Sequence, residues 1–210
     1  PPPGLELESL TRDCITWMTA PHSGAIDPVV AAAMAHYQFE ALHPFNDGNG
    51  RLGRLAMVLQ LMQSGALTEP TLAVSPWFAR RRPEYCDHLL GVSTRGAWDA
   101  WVGFFAEGVA ESARLTDRRL SSLITVQQAL KEKVRAAGLR ADTAYALVDF
   151  AVSQSIFTVR QVERALGISY PRANQLVQQL VAADVLRQYD ESAYARKFAS
   201  PEVLSALHQQ

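Results

Sequence analysis

The residues best equipped for chemistry fall in one stretch, His43 to Arg54, which reads HPFNDGNGRLGR. Its first residue carries an imidazole, a group that can take a proton from a hydroxyl near neutral pH. Asp47 follows, and a carboxylate beside bound phosphates can hold a hard cation such as Mg2+, with phosphate oxygens completing the shell. Gly48, Gly50 and Gly53 let the backbone approach a ligand closely. A helix beginning near Gly50 offers free backbone N–H groups and a partial positive charge. Arg51 and Arg54 stand in its first turn, on one face. Cations there oppose the helix dipole, at ~0.3–1 kcal/mol each when exposed. Their placement suits a polyanion arriving from outside; the plain alternative is pairing with internal carboxylates. A base, a metal-binding carboxylate, an anion cradle and two guanidiniums are the parts of phosphoryl or nucleotidyl transfer.

Rival arrangements fit less well. Gly48, Gly50 and Gly53 satisfy G-x-G-x-x-G when read literally, but the dinucleotide fingerprint follows a buried strand. Here AHYQFEAL precedes the loop, reads as helix, and ends in His-Pro. The phosphate loop G-x-x-x-x-G-K-[ST] does not occur. His36, Glu40 and His43 share a helix face in a set that a zinc hydrolase can use, yet the H-E-x-x-H order is missing and the glycines and arginines are left idle. His36 is therefore expected to be a helix residue satisfied by a local hydrogen bond.

The elements that position the loop read as helices nearly throughout. Asp27-Pro28 supplies a cap and first turn for a helix running to about Leu42. A second helix runs from near Gly50 to Ser64-Gly65, with Gly65 as a left-handed stop. This helix, LGRLAMVLQLM, is apolar almost all round and is expected to be buried. Ser75-Pro76 and Arg82-Pro83 each open another helix. Trp98, Trp101, Phe104 and Phe105 recur at helical spacing as a core stripe. A polar helix is expected over Thr116–Ala137, ended by Gly138.

The texture changes after Gly138. Helices are expected over Ala141–Gln154, Val159–Leu166 and Tyr170–Ala183, the last two joined by Gly167-Ile168-Ser169. Leu186–Tyr189 and Tyr194–Phe198 read as short strands around Asp190-Glu191-Ser192, and Ser200-Pro201 caps a last helix. Helix, turn, helix, hairpin is the order of a winged helix-turn-helix. Tyr170–Ala183 would be its recognition helix, with Arg172, Asn174, Gln175, Gln178 and Gln179 able to read base edges. Residues 155–210 hold 6 Lys+Arg and 5 Asp+Glu. DNA binding usually needs more positive charge than that, so a protein-docking or dimerising role stands beside DNA contact.

Composition bounds the rest. The chain has 210 residues, 48% hydrophobic and 20% charged, enough for packed cores and too apolar for a disordered chain. Residues 1–117 carry 8 Lys+Arg against 13 Asp+Glu, whereas residues 118–210 carry 12 against 8. No apolar run reaches bilayer length, so no membrane role is expected. PPPGLELE has neither the basic nor the apolar region of a secretory signal. Cys14 and Cys86 lack metal or redox spacing, which favours a reducing cytoplasm. The chain opens on Pro1 rather than Met, and a fragment is expected.

HPFNDGNGRLGR resembles the signature of the Fic (filamentation-induced-by-cAMP) family, H-P-F-x-(D/E)-G-N-G-R-x-x-R, at every defined position. AHYQFEAL is similar to the helix before the family's loop, and RRPEYCDHLLGVSTRGAWDAWVGFFAEGVAES to its later helices, so the resemblance spans roughly Pro1–Ala113. With the element order read above, a mainly α fold is expected: a Fic catalytic domain over residues 1–115, a linker helix over 116–138 and a winged-helix domain over 139–210, the last similar to an appendage of many bacterial Fic proteins. The implied activity is transfer of AMP from ATP to a Ser, Thr or Tyr hydroxyl of a protein target, with Mg2+ as cofactor. His43 would be the general base, and Asp47 would bind Mg2+. Gly48, Asn49 and Gly50 would form the anion cradle. Arg51 would stabilise charge during transfer, Arg54 would hold the γ-phosphate, and Phe45 would pack inward to anchor the loop. Gly50 and Arg54 favour nucleotidyl transfer over the phosphorylation of the family's kinase-like branch. The family's flap hairpin is not visible in these residues. Its inhibitory motif (S/T)-x-x-x-E-(G/N) is also absent, since the only candidate, Glu107-Gly108, has Gly103 four residues before the glutamate. The alternative reading is a DNA-binding regulator whose Fic core senses nucleotide or removes AMP. A homodimer remains open.

Overall fold

The structure, a computed structural model, describes residues 4–22, 24–139, 141–190 and 196–208. It is mainly helical and divides into two compact units, Pro1–Thr116 and Asp117–Gln210.

The first unit holds α1 (Gly4–Thr19), α2 (Pro28–Leu42), α3 (Asn49–Gln63), α4 (Ser75–Arg80), α5 (Arg82–Arg95) and the start of α6 (Trp98–Ala136). Asp27 caps α2 as expected, its Oδ1 accepting the N–H groups of Val29 at 2.8 Å and Val30 at 3.3 Å. The alanines at 31, 32, 33 and 35 are all buried, so α2 presents small side chains to its neighbours. α3 packs on it through Gly53, Met57, Val58 and Leu61. Gly65 takes φ 79° after α3, in keeping with its reading as a stop. Trp101 is fully buried and donates its indole N–H to the Ala33 carbonyl at 2.9 Å, tying α6 to α2.

Three expectations about packing are corrected. α3 is not buried all round: Leu52, Leu55 and Leu59 remain 40–53% exposed on its outer face. An apolar sequence sets how much surface favours burial, not whether a neighbour covers it. Trp101, Phe104 and Phe105 are core residues, but Trp98 is 38% exposed and meets the Tyr37 ring in a T-shaped contact at 4.9 Å between centroids. The helix expected over Thr116–Ala137 is the later part of α6, which runs unbroken from Trp98. Gly103 and Gly108 do not interrupt it, because a single helical glycine costs only ~1 kcal/mol. A Cβ at Gly108 would come 2.7 Å from the Trp77 ring, so glycine is there for close packing.

The second unit holds the rest of α6, then α7 (Ala141–Gln154), β1 (Ile156–Thr158), α8 (Val159–Leu166), α9 (Tyr170–Ala182), β2 (Arg187–Gln188), β3 (Lys197–Ala199) and α10 (Pro201–His208). Gly138 stops α6 at φ 66°. Leu130 and Val134 of α6 join Leu147, Phe157, Val162, Leu176, Leu180 and Phe198 in one core. The sheet is antiparallel with order β1-β3-β2; Phe157 pairs with Phe198, and Gln188 pairs with the same residue from the other side. β1 was not foreseen: three residues are too few for a period-2 pattern, and they pair with a strand about 40 residues on. Glu191, Ser192 and Tyr194, part of the expected hairpin, lie outside the described residues.

Candidate active site

The site is built by the short connection between α2 and α3. His43 closes α2 in the left-handed region (φ 49°, ψ 56°), with its N–H bonded to the Phe39 carbonyl at 3.1 Å. A non-glycine residue rarely takes this conformation, and Pro44 after it narrows the choice further. The left-handed turn ends the helix at once, so the chain leaves α2 with His43 exposed at its tip. Gly48 has φ 87° and starts α3 without any side-chain cap. Among the described residues no side chain caps the first N–H groups of α3, which is the arrangement an anion can use.

Asn49 holds this loop in shape. Its Oδ1 accepts the Phe45 N–H at 3.0 Å and its Nδ2 donates to the Phe45 carbonyl at 2.5 Å, while the residue itself is buried. Phe45 does not pack inward as expected: it is 48% exposed, its ring centroid 6.4 Å from that of Phe39. The anchor is the backbone of Phe45 gripped by Asn49, rather than its ring.

The charged residues lie around the start of α3. Asp47 and Arg51 pair at 3.2 Å, with side chains 92% and 76% exposed. Such a pair is worth ~0–1 kcal/mol and is readily exchanged for other partners. Arg51 thus does pair with a carboxylate of its own chain, though an exposed one. Arg54 donates its Nε to the Ser75 hydroxyl at 2.9 Å. Its Nη1 lies 3.1 Å from where a Gly50 Cβ would stand, so the guanidinium runs along the first turn of α3. Gly50 leaves room for it.

Beneath the loop lies a buried polar cluster that the sequence reading understated. His36 is 1% exposed, and its Nε2 meets the Tyr85 hydroxyl at 3.0 Å, a partner 49 residues away rather than the local one expected. Burial lowers the His36 pKa to about 4, with the Arg54 charge adding to the effect and the nearby Gly53 backbone opposing it, so the imidazole is neutral. His36 Nε2 and Glu40 Oε1 are 4.0 Å apart, and a neutral imidazole makes no ion pair at that distance. Burial pushes the Glu40 carboxyl up, while the charges of Arg54 and His43 pull it back. Tyr85 is pushed up by burial and by Glu40. His36 Nδ1 and Glu40 Oε1 are buried without hydrogen-bond partners among the described residues. His36, Glu40 and His43, considered above as a metal face, are divided: His36 is buried, Glu40 is partly buried and His43 is exposed.

Residues 1–61 match the Fic/DOC family. The match contains α1, α2, the loop and nearly all of α3, so every residue of the candidate site from His43 to Arg54 lies within the matched segment. The chain is 36% identical over 107 residues to Protein adenylyltransferase Fic of Drosophila virilis and to that of Drosophila melanogaster, covering 51% of this chain and 20% of each relative. It is 44% identical over 63 residues to Protein adenylyltransferase fic-1 of Caenorhabditis briggsae, covering 30% of this chain and 12% of that protein. The chain thus aligns with a fifth or less of the length of these relatives. A crystal structure of a Fic family protein from Desulfovibrio desulfuricans overlaps 95% of this chain and 56% of its own, with 22% identity and a TM-score of 0.49. Glu107, the one residue near the pattern of a Fic inhibitory glutamate, pairs with Arg81 at 2.9 Å.

In the second unit, α9 turns Leu176, Val177 and Leu180 into the core and leaves Tyr170 and Gln175 exposed. Arg172 donates to Gln175 Oε1 at 3.0 Å. Asn174 is half-buried, and its Oδ1 is buried without a partner among the described residues. No described helix is long and apolar enough to cross a membrane.

Proposed function

We propose that this chain is a protein adenylyltransferase that moves AMP from ATP to a Ser, Thr or Tyr hydroxyl of a protein target. The observation that carries this reading is the uncapped start of α3 at Gly48, with the Arg54 guanidinium along its first turn and His43 exposed at the loop entrance. The names of the relatives support the same activity.

In the proposed step His43 accepts the proton of the target hydroxyl. The hydroxyl oxygen attacks the α-phosphorus, a new P–O bond forms, the bond to the bridging oxygen breaks, and pyrophosphate leaves. Backbone N–H groups of Gly48, Asn49 and Gly50 take phosphate oxygens. Arg51 offsets negative charge that builds during transfer, and Arg54 holds the γ-phosphate. Mg2+ fits Asp47, an exposed hard-oxygen donor held only by a weak surface pair. When bound, the ion would neutralise charge on the phosphates. Incubating the chain with labelled ATP tests this reading: self-labelling or labelling of a target is expected, and His43→Ala should abolish it. Label that persists in the variant removes His43 as the base.

A second reading concerns the second unit. Helix α8, a short turn at Gly167 (φ 63°), helix α9 and a three-stranded sheet support a winged helix that contacts DNA through Arg172 and Gln175. Substituting Arg172 and Arg196 should weaken DNA binding and flatten its salt dependence. Binding that is unchanged and salt-insensitive removes this reading.

A further inference from the structure

We propose that Ser75 and Glu40 are positioning residues for Arg54, fixing which edge of its guanidinium faces a bound triphosphate. The inference rests on the proposed function and adds to it two residues outside the loop.

An arginine carries five N–H donors in a planar fork and can offer phosphate either its side edge, through Nε, or its end, through both Nη atoms. Here Ser75 Oγ takes the Nε donor at 2.9 Å. That leaves the end of the fork for a ligand, and Nη1 already lies over Gly50 in the first turn of α3. Ser75 opens α4, and folding brings it to Arg54 across 21 residues of chain.

Glu40 acts from the other side. It sits on α2 under Gly53, the residue next to Arg54, with a side chain only 11% exposed. Its Oε1 is buried and has no hydrogen-bond donor among the described residues. A Cβ at Gly53 would stand 2.6 Å from that oxygen, so the glycine leaves the room that the carboxylate fills. The Arg54 charge favours the ionised form of Glu40 and so works against the upward push of burial on its pKa. In the proposed arrangement the Ser75 bond sets the rotation of the guanidinium, and Glu40 presents the opposite charge through the space left at Gly53.

The test compares ATP and ADP affinities in the presence of Mg2+ by titration calorimetry on the whole chain. Arg54→Ala should weaken ATP about 10- to 100-fold, the size expected for a hydrogen-bonded charge, with ADP nearly unchanged. Ser75→Ala and Glu40→Gln should each weaken ATP about 3- to 10-fold, again sparing ADP. Ser75→Thr, which keeps the hydroxyl, should restore ATP affinity. In the Arg54→Ala background neither substitution should cost anything more, because coupled residues are not additive. If Arg54→Ala changes neither nucleotide, the γ-phosphate reading fails and positioning fails with it. If Arg54→Ala acts as expected but Ser75→Ala or Glu40→Gln leaves ATP affinity at the original value, positioning alone is overturned. Losses that persist without Arg54, or tighter ATP binding by Glu40→Gln, overturn it as well.

Discussion

The Asn49 side chain grips the backbone of Phe45 at both its N–H and its carbonyl, at 3.0 and 2.5 Å, and so closes the loop between α2 and α3. This contact turns a flexible, glycine-containing stretch into a shaped one, at the price of a buried amide that must keep both partners. Asn49→Ala should lower stability by about 1–3 kcal/mol, because two polar backbone groups lose their partner. Asn49→Asp retains the acceptor and loses the donor, so it should fall between the two. Denaturant unfolding of the three proteins gives the order, and equal stability of all three would remove the loop-closing role.

His43 combines a functional side chain with an unfavourable backbone conformation at φ 49°. Glycine takes that region without penalty, whereas alanine does not. His43→Gly should therefore be more stable than His43→Ala by about 1 kcal/mol, and both should fail to label with ATP. Thermal melts beside the labelling assay check it. Equal melting temperatures would mean that the turn is not strained.

Gly53 is a packing requirement. An alanine there would press on Glu40 Oε1 at 2.6 Å and on the His36 ring at 3.1 Å. Gly53→Ala should cost about 1–3 kcal/mol by overpacking. Combining it with Glu40→Ala should cost less than the sum of the two single changes, which a double-mutant cycle of unfolding free energies measures.

Acid sensitivity has a named source in His36. Its pKa is lowered to about 4 in the folded chain from an ordinary 6.5, so the unfolded chain binds more protons between those values. Stability should therefore fall as pH drops from 6.5 towards 4, at no more than roughly 1.4 kcal/mol per pH unit from this residue. Glu40, shifted upward, contributes the opposite slope: its stabilisation is present below its unfolded pKa and is lost as pH rises. Comparing the chain with His36→Gln isolates the histidine. The variant should show a shallower acid slope over that window, and an unchanged slope would place the sensitivity elsewhere.

Local signals were legible from residue order. Asp27-Pro28, Gly65, Gly138 and Gly167 mark helix ends where the structure has them, because caps and left-handed stops act within a turn of chain. The candidate site was legible for a related reason: His43 to Arg54 lie close in sequence, so one turn suffices to gather them. Surroundings were harder to read. Phe45 and Trp98 are more exposed than expected, and the outer leucines of α3 are uncovered, since periodicity shows which face is apolar but not what lies against it.

By itself, the order of residues determined a helical chain whose chemistry is concentrated in a single loop carrying one imidazole, one exposed carboxylate and two guanidiniums. Tertiary structure alone decided which distant groups serve that loop: Tyr85 against His36, Ser75 against Arg54 and Glu40 in the space left at Gly53. The reason is physical. Helix ends are set by short-range hydrogen bonds, whereas a buried polar group takes whichever partner the packing of α2, α3, α4 and α5 brings within reach.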